Sequence, residues 1–377
     1  MARVVILGGG FGGAAAARRS AQLLGDGHSV VLIDREAESH LCGVNPAVVV
    51  GEAEPVARSI AELDGDGLAV VLAEIGRIDL AGRRVETSAG SEAWDHLVIA
   101  LGVAYDGEAV AGNDLAHSFY DHDSAMRLRQ RMAGFDGGSV VIASAGAPYR
   151  CPPAMFETAL MIEGHLRGRR VRDRSSITVV IPEPQPMGVA GPATSARIRD
   201  MLDDAGVGLA TGKRVVSVDT SGITFDDGST APADVPIVVP RHVLPPVVRA
   251  SGVAGDAPFV PIDRRTLETS TPGVYAIGDV NTIPVGEKAA IPKAGVFAAG
   301  QGRHVAEVIA HRLGVVPDPG PYDGVGHCFL MLGPATGASI GGDFFAPDGP
   351  AVSLDVPSGE GRRAKDLWER AWARFEV

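Results

Sequence analysis

Short aliphatic runs alternate along the chain with stretches of helical spacing, and glycine marks many of the boundaries. Arg3 to Leu7 is a β-branched and aliphatic run that ends on the glycines of positions 8–13, and Ala14 to Leu24 is rich in helix-favouring residues. Further apolar runs lie at His28 to Ile33, Leu97 to Leu101, Ser139 to Ala143 and Val274 to Ile277. Runs this short and this apolar predict strands buried on both faces. Helical spacing recurs over 154–166, over Val296 to Leu313 and again over 361–375. Phe329 to Leu332 and Ala338 to Phe345 read as short strands, and 182–192 as a loop rich in proline and glycine. Strands alternating with helices predict an α/β fold, and no internal repeat is apparent.

The length of 377 residues predicts two packed domains or one large composite unit. Hydrophobic residues make up 45% and charged residues 21%, which excludes a disordered chain. The net charge of −12, with no long basic block, argues against nucleic acid as a partner. Three cysteines, Cys42, Cys151 and Cys328, lie too far apart for a zinc knuckle or a CxxC dithiol, so any joint chemistry must be assembled by folding. With no leader ahead of the first strand and no apolar run of about 20 residues, the expectation is a cytoplasmic protein.

Gly8, Gly10 and Gly13 supply the G-x-G-x-x-G spacing between a strand and a helix, with Gly12 inside it. Missing side chains there let the backbone approach a pyrophosphate at the positive helix N-terminus. The second strand ends at Asp34-Arg35, where an acid accepts the adenosine ribose hydroxyls. Gly102 ends the run 97–101, and 271–279 reads TPGVYAIGD, which resembles the second FAD fingerprint of two-dinucleotide-domain flavoproteins. That resemblance gives Asp279 to the ribityl chain and makes the FAD domain discontinuous, 1–103 plus 238–313, with 104–237 inserted and 314–377 forming a C-terminal active-site and interface region. The implied fold is glutathione-reductase-like, with two Rossmann-like domains, the second inserted in the first. Pro292-Lys293-Ala294-Gly295 precedes a helix whose N-terminus would face the flavin pyrimidine edge, where Lys293 would add charge.

After Ile142 a nucleotide-binding flavoprotein needs a second glycine-rich turn, and this chain reads Ser144-Ala145-Gly146-Ala147-Pro148-Tyr149-Arg150-Cys151-Pro152-Pro153. One glycine, and prolines in the turn, predict a Rossmann-like domain without an NAD(P)H site. The helix over 154–166 would put Cys151 at or beside its N-cap, where the dipole favours a thiolate.

These segments, with PKAG at 292–295 and Cys328 in Gly326-His327-Cys328-Phe329, resemble the sulfide:quinone oxidoreductase and flavocytochrome c sulfide dehydrogenase family. The resemblance implies that Cys151 and Cys328 face each other beside the flavin, oxidise sulfide or a small thiol to sulfane sulfur, and pass two electrons through FAD to a quinone or a cytochrome. It matches Glu157 to a family carboxylate that handles protons, leaves His327 as a loop histidine, and makes Cys42 a candidate for covalent FAD attachment. Trp368, Trp372 and Phe375 recur as one aromatic stripe, fitting either docking on the protein's own surface or peripheral membrane contact. Two other readings stay open: an NADH-dependent quinone or disulfide reductase, and a non-catalytic FAD-binding redox sensor or sulfur carrier.

Overall fold

In a computed structural model, described for all residues except Asp66, Lys288, Pro334 and Val377, five parallel strands form the first sheet. Their spatial order is Val274–Ala276, His96–Ile99, Arg3–Leu7, Ser29–Asp34 and Leu68–Leu72. Leu7 pairs with Ile33 on one side and Ile99 on the other, so the glycine turn and both neighbouring strand ends open on one edge. Val4 to Leu7 are fully buried, as a central parallel strand covered on both faces requires. Helix Phe11–Leu24 packs against helix Gly295–Arg312 closely enough that a methyl group on Gly302 would stand 2.2 Å from the Gly12 carbonyl oxygen.

The chain leaves this sheet after Ile99 and builds a second parallel sheet, ordered Gly208–Thr211, Ser175–Ile181, Gly138–Ser144 and Val235–Val239. Each sheet is accompanied by a three-stranded antiparallel meander, 75–93 for the first and 215–232 for the second, just before a return strand. The architecture therefore repeats although the sequence shows no repeat. The two chain crossings pair with each other, Ala104–Asp106 against Arg241–Val243. The fold is thus α/β with two Rossmann-like units, one inserted in the other.

A last antiparallel meander, Val325–Met331, Gly337–Asp343 and Ala351–Leu354, precedes helix Gly359–Ala373. Its first strand begins four residues earlier than the sequence predicts. Cys328 and His327 therefore both lie on a strand, and His327, expected in a loop, is an exposed strand residue. The segment Asn45–Val49, which follows Cys42, is buried in the core of the inserted unit, with Asn45 donating to the Phe119 carbonyl at 2.8 Å. That packing brings Cys42 from the first unit toward the cysteine of the second.

Candidate active site

The glycine turn is built as the sequence predicts. Gly8 adopts φ +100°, and a methyl group there would stand 2.5 Å from the Ala100 carbonyl oxygen. One on Gly13 would lie 1.7 Å from the Gly8 carbonyl oxygen, whereas Gly10 has nothing within 4 Å and presents bare backbone to open space. Asp34 holds the turn, accepting from the Gly9 N–H at 2.5 Å and from the Glu36 N–H at 2.9 Å. Arg35 is exposed and paired with Glu36. Free N–H groups and an unobstructed approach at a helix N-terminus fit the phosphates of a dinucleotide.

From this turn runs an open cleft of about 1270 Å³, lined also by Gly12, Gly102, Gly278, Asp279, Lys293 and Ala294. Ala294 is the N-cap of helix Gly295–Arg312, so the helix dipole is directed into the cleft. Lys293 is buried. Its ammonium donates to the carbonyls of Asp279 at 2.6 Å and Asn281 at 2.8 Å and stands 3.6 Å from the Phe259 ring centroid. Burial pulls its pKa down to about 8, against the favourable charge of Asp279. Burial likewise raises the Asp279 carboxyl, while Lys293 and Arg150 oppose that shift. The bare glycine backbone and opposed charges fit FAD, which the sequence expectation would place with Gly8, Gly10, Gly12 and Gly13 at the phosphates, Asp279 at the ribityl chain, and Lys293 with Ala294 at the pyrimidine edge.

All three cysteines line this cleft as free thiols. Cys151 occupies a left-handed backbone conformation, φ +49°, which costs a non-glycine residue strain and is held by its neighbours. Its N–H donates to the Lys293 carbonyl at 2.6 Å and its carbonyl accepts from Ala154 at 2.9 Å. The helix starts at Ala154, as expected, with Pro153 as N-cap, so Cys151 stands two residues before the N-cap rather than at or beside it. Cys151 and Cys328 line the same cleft wall as neighbours. The neighbouring Cys328 together with burial pushes the Cys151 thiol well up, against the dipole-lowered thiolate expected there. The Cys42 sulfur accepts from Nη2 of Arg150, the residue before Cys151, at 3.5 Å.

Glu157 projects from helix Ala154–Gly168 and is 2% exposed. It accepts from the Met331 N–H at 3.1 Å and from Lys365 Nζ at 2.7 Å. Burial raises its pKa, and Lys365 limits the rise. Lys365 was not singled out from the sequence, because a lysine on an amphipathic helix gives no local sign of entering a distant cleft. Arg150 was missed likewise. It lies beside the Tyr105 and Tyr120 rings, 5.6 and 5.7 Å from their centroids, and donates to the Tyr120 carbonyl.

The aromatic stripe of the C-terminal helix faces inward. Trp368 stacks on Phe11 at 5.9 Å and 13°, and Trp372 is fully buried. The Arg58 guanidinium lies 4.1 Å from the Trp372 ring and 3.9 Å from Phe375. Trp372 and Phe375 are thus docked on the protein's own surface, while Trp368 is half-buried. Among the described residues no helix is long and apolar enough to cross a membrane. In the inserted unit, Tyr149 is 4% exposed and directs its hydroxyl to Glu183 at 3.3 Å, the acid just beyond strand Ser175–Ile181. A tyrosine side chain thus reaches from the first turn to the acid after the second strand, where a nucleotide's ribose would lie in a binding-competent Rossmann unit.

Residues 2–302 match the family model described as pyridine nucleotide-disulphide oxidoreductase. An NADH dehydrogenase-like protein of Mycobacterium tuberculosis is 29% identical over 318 residues, covering 74% of this chain and 73% of that protein. The mitochondrial sulfide:quinone oxidoreductase of Mus musculus is 23% identical, covering 76% and 67%. The solved sulfide:quinone oxidoreductase of Aquifex aeolicus superposes with a TM-score of 0.88 at 21% identity, covering 100% of this chain and 92% of that one. The glycine turn, the FAD-shaped cleft and the match over residues 2–302 together place the chain in the pyridine nucleotide-disulphide oxidoreductase family, as a flavin-dependent oxidoreductase.

Proposed function

We propose that this protein is an FAD-dependent sulfide oxidoreductase that turns sulfide, or a small thiol or persulfide, into sulfane sulfur and passes the electrons to a quinone or a cytochrome. The observation that carries the reading is that Cys151 and Cys328, distant in sequence, line one cleft that fits FAD, beside the buried Glu157. In this reading 1–103 and 238–313 hold FAD, 104–237 supplies Cys151, and 314–377 supplies Cys328 and closes the cleft.

The reaction begins from the Cys151–Cys328 disulfide. Hydrosulfide attacks one sulfur, the S–S bond breaks, a persulfide forms on the attacked cysteine and the other leaves as a thiolate. Glu157, whose carboxyl burial raises against the pull of Lys365, takes up and returns the protons that sulfide brings. FAD supplies the two-electron acceptor that lets the disulfide re-form as sulfane sulfur departs. Cys42, which lines the same cleft, is proposed as the point of covalent FAD attachment.

A second reading, an NADH-dependent reductase, draws on the mycobacterial relative. Against it stands Tyr149, which fills the phosphate turn and engages Glu183. The test is to count sulfane sulfur formed per flavin reduced, by cyanolysis, in wild type, Cys151→Ser and Cys328→Ser. One sulfane per flavin in wild type and none in either variant supports the proposal; flavin reduction by sulfide that survives both variants refutes it.

A further inference from the structure

We propose that Lys365 is a positioning residue for the thiol pair: its ammonium, carried in by the C-terminal helix, fixes Glu157 and supplies the positive charge that balances a thiolate at Cys328. The inference rests on reading Cys151 and Cys328 as the reactive pair. It adds a residue from a segment lying beyond the family match, which ends at residue 302.

Lys365 is 4% exposed, so its charge is held away from water by specific partners. It donates to Glu157 Oε1 at 2.7 Å and to the Gly43 carbonyl at 3.1 Å, and its own helix offers Glu369 at 3.9 Å. These contacts join three separate parts of the cleft wall: the helix that follows Cys151, the turn that holds Cys42, and the C-terminal helix. Lys365 and Cys328 line the same cleft, and each side chain feels the other's charge.

The charges facing Cys328 come from three elements. Cys151 precedes its helix and neighbours the Cys328 sulfur; Glu157 lies farther along that helix and disfavours a thiolate; Lys365 favours one. Around the ion pair, Arg362 also draws Glu157 toward its charged form, and Glu369 supports the ammonium of Lys365. Arg150 lies beside Cys42. Lys365 acts on both Glu157 and Cys328. Without it, a thiolate at Cys328 and a carboxylate at Glu157 would be two buried negative charges in one wall, and one of them would have to take a proton.

The experiment uses the FAD-loaded protein with the Cys151–Cys328 pair first reduced by a phosphine and the reductant then removed. Alkylation of Cys328 by iodoacetamide is followed across pH by peptide mass spectrometry in wild type, Lys365→Met and Lys365→Arg. The proposal expects Lys365→Met to alkylate about tenfold more slowly near neutral pH, its profile displaced upward by roughly one unit. Lys365→Arg should restore the wild-type profile. A Lys365→Met profile that overlays wild type, or a Lys365→Arg profile as displaced as Lys365→Met, overturns it.

If Lys365→Met does not fold, Glu157→Gln is compared with the Glu157→Gln/Lys365→Met double variant. The proposal expects the single variant to alkylate faster, since an unopposed ammonium faces Cys328. Equal rates overturn it. Alkylation needs no sulfide, so wild-type protein that sulfide fails to reduce would defeat the sulfide reading while leaving the Lys365 result legible on its own.

Discussion

Replacing Trp372 by alanine tests whether the C-terminal helix is part of the folded body. The indole is fully buried, tilted on Phe11 at 5.6 Å, and covered by the Arg58 guanidinium. Truncating a buried aromatic of this size costs about 3–5 kcal/mol, and losing a desolvated cation–ring contact adds about 1–2 kcal/mol. Arg58 keeps its hydrogen bond to the residue 372 carbonyl, 2.6 Å in the native chain, so the loss falls on packing rather than on the backbone anchor. The sum is comparable to the whole stability of an ordinary domain, about 5–15 kcal/mol. The helix is therefore expected to detach before the rest unfolds, exposing Lys365 and Trp368. Limited proteolysis should cleave near residues 355–360 in Trp372→Ala under conditions that leave wild type intact, and the urea midpoint should fall. A variant with unchanged cleavage and midpoint would refute the docking argument. If that variant also lost binding to lipid vesicles, the stripe would have to be read as a membrane face.

Gly13→Ala should purify without flavin yet keep its helical circular dichroism, because the added methyl meets the Gly8 carbonyl oxygen at 1.7 Å and distorts the phosphate turn; a normal ratio of flavin to protein absorbance would contradict this. The Lys293 ammonium has its pKa lowered to about 8, so its charge is present below that pH and lost above it. Since positive charge favours anionic reduced flavin, the flavin midpoint potential should fall more steeply with pH above about 8. Lys293→Met should remove that break in a dye-equilibration titration. Acid precipitation of wild type should give a yellow pellet, and of Cys42→Ser a colourless one, if Cys42 carries the flavin; a colourless wild-type pellet excludes the attachment.

The glycine turn was legible because its requirements are local. A positive φ at Gly8 and a carbonyl oxygen against Gly13 exclude any side chain, and that exclusion is written directly at those positions. The parallel strands were legible for a similar reason, being buried on both faces and bounded by turns. The thiol pair was legible only by resemblance, because 177 residues separate Cys151 from Cys328 and no spacing rule reaches that far. The helix start at Ala154 was legible, but the placement of Cys151 two residues before the N-cap, with its N–H bonded to the Lys293 carbonyl, depends on tertiary contact and was not. The aromatic stripe of the C-terminal helix carried an ambiguity that amphipathicity cannot resolve, because a periodic apolar face does not say whether protein or lipid covers it. Lys365 left no local trace at all. Its importance comes from Glu157 across the cleft, 208 residues away. The two Rossmann-like units were legible through the fingerprints they resemble and not as a sequence repeat, because their likeness resides in strand order and meander placement, which different residues satisfy equally well.

The most direct test of the account is anaerobic rapid mixing of the purified protein with sulfide and, separately, with NADH, following the oxidised flavin absorbance. The thiol pair beside the cleft and the Tyr149-filled turn of the inserted unit predict fast bleaching by sulfide and none by NADH. Bleaching by NADH with none by sulfide would contradict the account and make the inserted unit a nucleotide-binding domain after all.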